Sequence, residues 1–294
     1  MPSGWLSNVK VKSSTRIIYL LRMRSQIDWE LGELMSNPSV IDVTAITDPG
    51  DVGREKHSKI DRFVVQVSNI VAWAFPLLMV CIVAQVFLRG AGLNQAWLDD
   101  LQWWIYGFAM MTGLCYAITT NSHVRVDILH QHFSDTKKAR IEAFALGWMM
   151  LPFFLYMTDI LTHYAISSVQ SGEGSDSPNG LHGLYLLKSS LPLLFILATL
   201  AAWAALRRNL TEFTDLSVRS KLIWAFPAAV FLLWRLAHYI VYWIVRLANP
   251  EIKPRRIPKE PIFEYLLIGA FWAVIIALVV AFVLRGRGKS GEHA

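Results

Sequence analysis

The chain has 294 residues, of which 54% are hydrophobic and 17% charged, and its mean hydropathy is +0.39. That balance excludes an ordinary soluble domain and predicts an integral membrane protein. The net charge of +6 does not point to nucleic acid, because Lys and Arg gather at the ends of apolar windows, where they set membrane orientation.

The first residues are polar and are broken by Asn37, Pro38, Asp48, Pro49, Gly50 and Gly53. A cleavable signal needs a longer apolar run than residues 17–21, between Arg16 and Arg22, so residues 1–59 are expected to stay on the chain as a largely flexible cytoplasmic extension. Within it, residues 15–35 have the pattern of an amphipathic helix for an anionic membrane surface, with a disordered tail as the equal alternative.

Six apolar windows follow, at 64–88, 103–120, 143–163, 185–206, 222–247 and 262–284. Each approaches or exceeds the roughly 20 residues that carry a helix across a hydrocarbon core, and a spanning helix satisfies its own backbone. The predicted class is therefore all-α: a four-span core at 60–210, then two further hydrophobic helices within 211–294, one of which spans or lies in the interface. Cys81 and Cys115, the only cysteines, fall inside these windows, so neither a disulfide framework nor a metal-ligand spacing is present.

Orientation follows from Lys and Arg in the short loops. Arg54, Lys56, Lys59 and Arg62 precede the first window, whereas the next loop has one Arg and the acidic pair Asp99 and Asp100. Arg125, Lys137, Lys138 and Arg140 follow the second window, none follows the third, and Arg207, Arg208, Arg219 and Lys221 follow the fourth. The first four spans thus alternate with both ends in the cytoplasm. Beyond residue 221 the rule fails, because six full spans put Lys253, Arg255, Arg256 and Lys259 outside. If 222–247 re-enters or lies along the membrane, that loop stays inside and the tail with Arg285, Arg287 and Lys289 goes out. The fifth window carries Arg235, His238, Tyr242 and Arg246 on one helical face, a stripe suited to the interface or to packing on a partner.

Chemical motifs are few. GRGKS at 286–290 resembles the end of a phosphate-binding loop, but that loop needs a Gly where Val283 stands and a strand before it, so no nucleotide is expected. His163 lies four residues after Asp159, the spacing of a hydrogen-bonded pair near the outer end of the third span. The loop SGEGSDSPNGLHG at 171–183 is turn chemistry, and its Glu173 and Asp176 are available to touch a soluble partner. The sequon at Asn209 falls on the predicted cytoplasmic side.

The second window gives way at once to TTNSHVRVDILHQHF, residues 119–133. Alternation from His123 to Ile128 has a strand's period, but a lone strand here leaves unpaired edges. Residues 119–122 are expected to end the span, Asp127 to cap a short turn, and Ser134 or Asp135 to cap the helix leading into the third span. Arg125 and Asp127 do not face each other on a helix, so each needs a partner elsewhere: lipid phosphate for Arg125, or another polypeptide.

HVRVDIL after the second helix, DDLQW before it, the loop GEGSDSPNGL and the following LLKSSLP together resemble the small membrane subunit of tripartite ATP-independent periplasmic (TRAP) transporters, and most closely those labelled for mannitol or chloroaromatic compounds. The resemblance covers roughly residues 60–210. It implies a bacterial inner-membrane scaffold, without enzymatic activity or cofactor, that braces a large membrane subunit while that subunit moves, driven by an ion gradient, and a periplasmic binding protein delivers an organic acid. It maps His123, Arg125 and Asp127 onto the family's cytoplasmic motif, and Asp99, Leu101, Gln102 and Trp103 onto its outer motif, with Asp100 where Glu is more usual. The first 60 residues and both windows after 221 have no counterpart there. The alternative from another class is a membrane anchor for a redox enzyme, with His163 and His238 holding a cofactor.

Overall fold

The computed structural model describes residues 54–122 and 133–290, with side chains up to 283. The described residues form helices joined by short turns. The first rod is α1 (Lys59–Ala72) and α2 (Ala74–Gly90), which meet at Trp73. Pro76 explains the break: it has no N–H for the carbonyl of Ala72. The rod starts in a capping box, in which Ser58 accepts from the Asp61 amide and the Asp61 carboxylate accepts from the Ser58 amide.

After a tight turn with Gly92 at φ 80°, α3 (Ala96–Thr120) returns along the rod. It ends at Asn121, which adopts a left-handed φ of 56°, a conformation Asn tolerates better than other side chains. The helix thus stops inside 119–122, where the sequence places its end. Next, α4 (Asp135–Phe144) runs through a π turn (Ala145–Met150) into α5 (Leu151–Ser171). Ser134 stands at the N-cap of α4 but makes no capping bond with its side chain. The π turn has a local cause in Pro152, whose ring clashes with the carbonyl four residues back, so the ladder widens there.

At the centre is α6 (Leu184–Thr211), which packs against α5, α3, α1 and α4. Its Ala198, Ala201, Ala202, Ala204 and Ala205 are almost fully buried. Small side chains let helix backbones approach closely where lipid offers no hydrophobic contrast. The chain then breaks at Ala225 between α7 (Val218–Trp224) and α8 (Phe226–Ala248), again just before a proline, Pro227. The π turn of the α4–α5 rod docks onto this break. Trp148 donates to the Ile223 carbonyl at 3.2 Å, and a Cβ on Gly147 would lie 1.9 Å from the Trp224 carbonyl oxygen, so only glycine fits. A turn through Ile257, which is fully buried, leads to α9 (Ile262–Ser290). The GRGKS stretch lies inside this last helix.

Among the described residues five helical rods are long and apolar enough to cross a membrane: Lys59–Gly90, Asp135–Ser171, Leu184–Thr211, Phe226–Ala248 and Ile262–Val283. Five of the six expected windows are among them. The window at 103–120 lies in α3, which has 25 residues and a length of about 37 Å, but its Trp, Tyr, Thr and Gly lower its apolarity. It nevertheless runs the length of its neighbours. Ser68 of α1 donates to Thr112 at 3.4 Å, while α3 meets α2 at one end through Asp99 and α6 at the other through Thr119. Burial among helices relaxes the demand for lipid-like side chains.

The position of 222–247, open from sequence, follows from its contacts. Trp148 stacks on Phe226, Tyr156 meets Phe231, and His163 stacks on Tyr239. Residue numbers rise together, so α8 runs parallel to α5, and the loop 249–261 lies at the same end of the bundle as the loop 172–183. Contacts Arg219 to Phe282 and His238 to Phe263 run the opposite way, so α9 returns antiparallel to α8.

Candidate functional site

Polar side chains are concentrated in a few seams between helices. At the end carrying the loop 172–183, Arg89 at the close of α2 reaches Asp99 in the first turn of α3 with contacts of 3.1 and 2.8 Å. Gln85, 6% exposed, donates to the same carboxylate and accepts from Gln102, which also donates to the Cys81 carbonyl. The carboxylate of Asp100 points the other way and accepts the Leu181 amide at 2.9 Å. So Asp99 and Gln102 tie α2 to α3, and Asp100 pins the 172–183 loop. Leu101 is partly buried, whereas Trp103 is 72% exposed and touches Tyr106 edge to face.

In that loop Glu173 faces inward. It accepts from Ser168 at 2.7 Å and from Lys188, whose ammonium also lies 4.3 Å from the Tyr164 ring centre. Asp176 is exposed. The Lys188 hydrogen bond, with that of Ser168 behind it, holds the Glu173 carboxyl below its usual range. A depressed carboxyl pKa contributes stability that is fully present above the unfolded value of about 4.3 and is lost as pH falls through the lower folded value. Amide exchange across 172–185, corrected for its intrinsic dependence on pH, is therefore expected to stay slow from pH 7 down to about 4.5 and to speed up below that. Glu173→Gln should speed it up already at pH 7 and flatten the dependence.

At the opposite end, Arg208 of α6 donates to Asp61 of α1 at 3.0 Å and to the Thr119 carbonyl of α3 at 2.7 Å. Asp61 is 1% exposed and accepts from the Ser58 hydroxyl as well. One guanidinium thus joins three helices, and outside it Lys56 pairs with Glu212 at 3.2 Å.

The third seam joins α5 to α8. Arg235 donates to Asp159 at 2.8 Å, to the Tyr239 hydroxyl at 3.1 Å, and lies 3.3 Å from His163 Nε2. Tyr239 donates to Asp159 at 3.0 Å and meets His163 Nε2 at 2.9 Å. Asp159 and His163 are thus bridged by two side chains of α8. The other members of the α8 stripe go elsewhere: His238 packs on Phe263, Tyr242 on Trp243, and Arg246 donates to the carbonyls of Pro250 and Ile252. The four members of the stripe therefore have four different sets of neighbours.

His123, Arg125 and Asp127, with the proposed cap at Asp127 and the amphipathic stretch 15–35, lie outside the described residues. Sequence reasoning missed Gln85, Arg89, Asp61, Arg208, Lys188 and Tyr239. Some signals were present: a lone Lys188 in an apolar window just after the acidic loop 171–183, and Tyr239 four residues after Arg235. Among the described residues no group of three or more His, Cys, Asp and Glu side chains is placed to hold a metal ion.

These features define a multi-pass membrane bundle whose polar groups tie helix to helix. Residues 78–212 match the family model of tripartite ATP-independent periplasmic transporters, DctQ component. The match runs from α2 to just past α6, so it supports this family for the core of the chain and leaves α7, α8 and α9 beyond it. No curated protein matches the chain, and no solved structure does.

Proposed function

We propose that the chain is the non-catalytic small membrane subunit of a TRAP-type secondary transporter. In this reading it sits in a bacterial inner membrane with its N-terminus in the cytoplasm. It braces a large membrane subunit during ion-gradient-driven uptake of an organic acid or related solute, which a periplasmic binding protein delivers. The observation that carries this reading is the family match over the core, and the seams support it: polar ties at both ends of the core join its helices to one another, as a brace requires. The mannitol or chloroaromatic subgroup remains part of the proposal through the sequence motifs alone.

The contact segments proposed are His123, Arg125 and Asp127 at the cytoplasmic end and the turn from Asp99 to Trp103 at the outer end. In the outer turn the exposed Trp103 is the group left to touch another subunit, since Asp99, Asp100 and Gln102 are engaged within the chain. Asp176 is the proposed contact of the outer loop. Arg125→Ala combined with Asp127→Ala should lower recovery of the large subunit with this chain at least tenfold while the chain itself still inserts. Normal assembly together with normal uptake in that variant would reduce the stretch to a connector.

A further inference from the structure

A groove of about 360 Å³ opens in the wall of the bundle where α5, α6, α7 and α8 meet. Its sides come from Leu151, Leu155, Leu200, Trp203, Leu222 and Leu232, and Ala225, Ala228 and Ala229 leave the space between them. The break at Ala225 between α7 and α8 lies in its wall. The charged exception in the lining is Lys221. Its side chain is partly buried, and no carboxylate among the described residues pairs with it.

The arrangement has a polarity. From Lys221 on α7, past the break, to Leu232 on α8, the lining is apolar apart from Thr199, with the lysine at one end. That end is the one where Arg208 and Asp61 lie, at the close of the α6 span, so the ammonium stands where a span meets headgroups and the trough runs into the hydrocarbon layer. The lysine stem lies along an apolar wall, and its ammonium, with no carboxylate on it among the described residues, is available to an anion at headgroup level. A long apolar trough beside it needs a flexible hydrocarbon. We propose that this groove binds one acyl chain of an anionic glycerophospholipid, with the phosphate on Lys221. The site is built in part from α7 and α8, beyond the residues that match the transporter family, and does not depend on the transporter reading.

The full chain, purified in mild detergent and mixed with phosphatidylglycerol or phosphatidylcholine, tests this by native mass spectrometry. The expected result is one retained phosphatidylglycerol per chain, with phosphatidylcholine held roughly fivefold less well, as one lysine near a headgroup implies. Lys221→Gln should remove that preference while still retaining lipid. Ala229→Phe, which fills the trough, should abolish retention of both lipids; Thr199→Phe fills it from the α6 side and serves where the first variant is poorly folded by circular dichroism. Equal retention of the two lipids by the wild type, or undiminished retention in a folded trough-filling variant, overturns the proposal. So does loss of the lipid on addition of a second polypeptide, which would make the groove a protein interface.

Discussion

Arg208→Leu is expected to be the most damaging single substitution in the core, costing about 3–5 kcal/mol. The guanidinium is 13% exposed and its partner carboxylate on Asp61 1% exposed, so removing the cation leaves a charge with almost no water. It also frees the Thr119 carbonyl at the end of α3. Buried pairs owe little to their own attraction once desolvation is counted, so the damage comes from the orphaned partner. The double variant Asp61→Asn with Arg208→Leu should therefore recover a large part of the loss, while Asp61→Asn alone should be nearly as harmful as Arg208→Leu. Thermal unfolding of the four proteins in one detergent measures this. Simple additivity of the two single losses would show that the groups are not coupled.

Arg235→Leu is expected to cost about 3 kcal/mol, the scale set by an unpaired acidic group within a membrane span. Its side chain is 17% exposed and that of Asp159 19%, and the pair lies midway along two parallel helices. Losing it leaves Asp159 with the Tyr239 hydroxyl and loosens the hold of α8, and with it α9, on the rest of the bundle. The consequence differs from that of Arg208→Leu. Here the core through α6 should stay folded while α8 and α9 become accessible, so limited proteolysis in the loop 212–217 is the sensitive measurement, with cleavage rising in Arg235→Leu and falling back in Asp159→Leu with Arg235→Leu. Unchanged cleavage in all three would mean that aromatic contacts such as Tyr156 on Phe231 are enough to hold the pair.

Local features of the chain were legible from sequence where one residue type has one physical consequence. Apolar windows gave the helices, and Pro76, Pro152 and Pro227 stand at every internal break. The loop 172–183 was readable from its Gly, Ser and Asp. What was not legible depends on which element lies opposite. Asp61 and Arg208 are far apart in the chain and meet only because α6 returns beside α1. On α8 the period of 3.6 makes Tyr239 and Tyr242 near neighbours on the same face, and only the position of α5 decides that Tyr239 joins Arg235. Glu173 read as a free acidic group because Lys188 was counted as part of the next apolar window; the turn between them brings the two together. At α3 the window was read as a helix, but its partners were not legible: Thr112, Cys115 and Thr119 are buried against neighbouring helices, which the period alone does not reveal.

The polar ties between helices leave the proposed brace with mostly apolar outer faces for the membrane and for its neighbours. Co-expression of the chain with a large TRAP membrane subunit from the same source, followed by affinity purification through a tag on this chain alone, tests that most directly. The account predicts a stable complex with one copy of each subunit, retained through size exclusion. A chain that remains monomeric and stable beside an equally well expressed large subunit would contradict it.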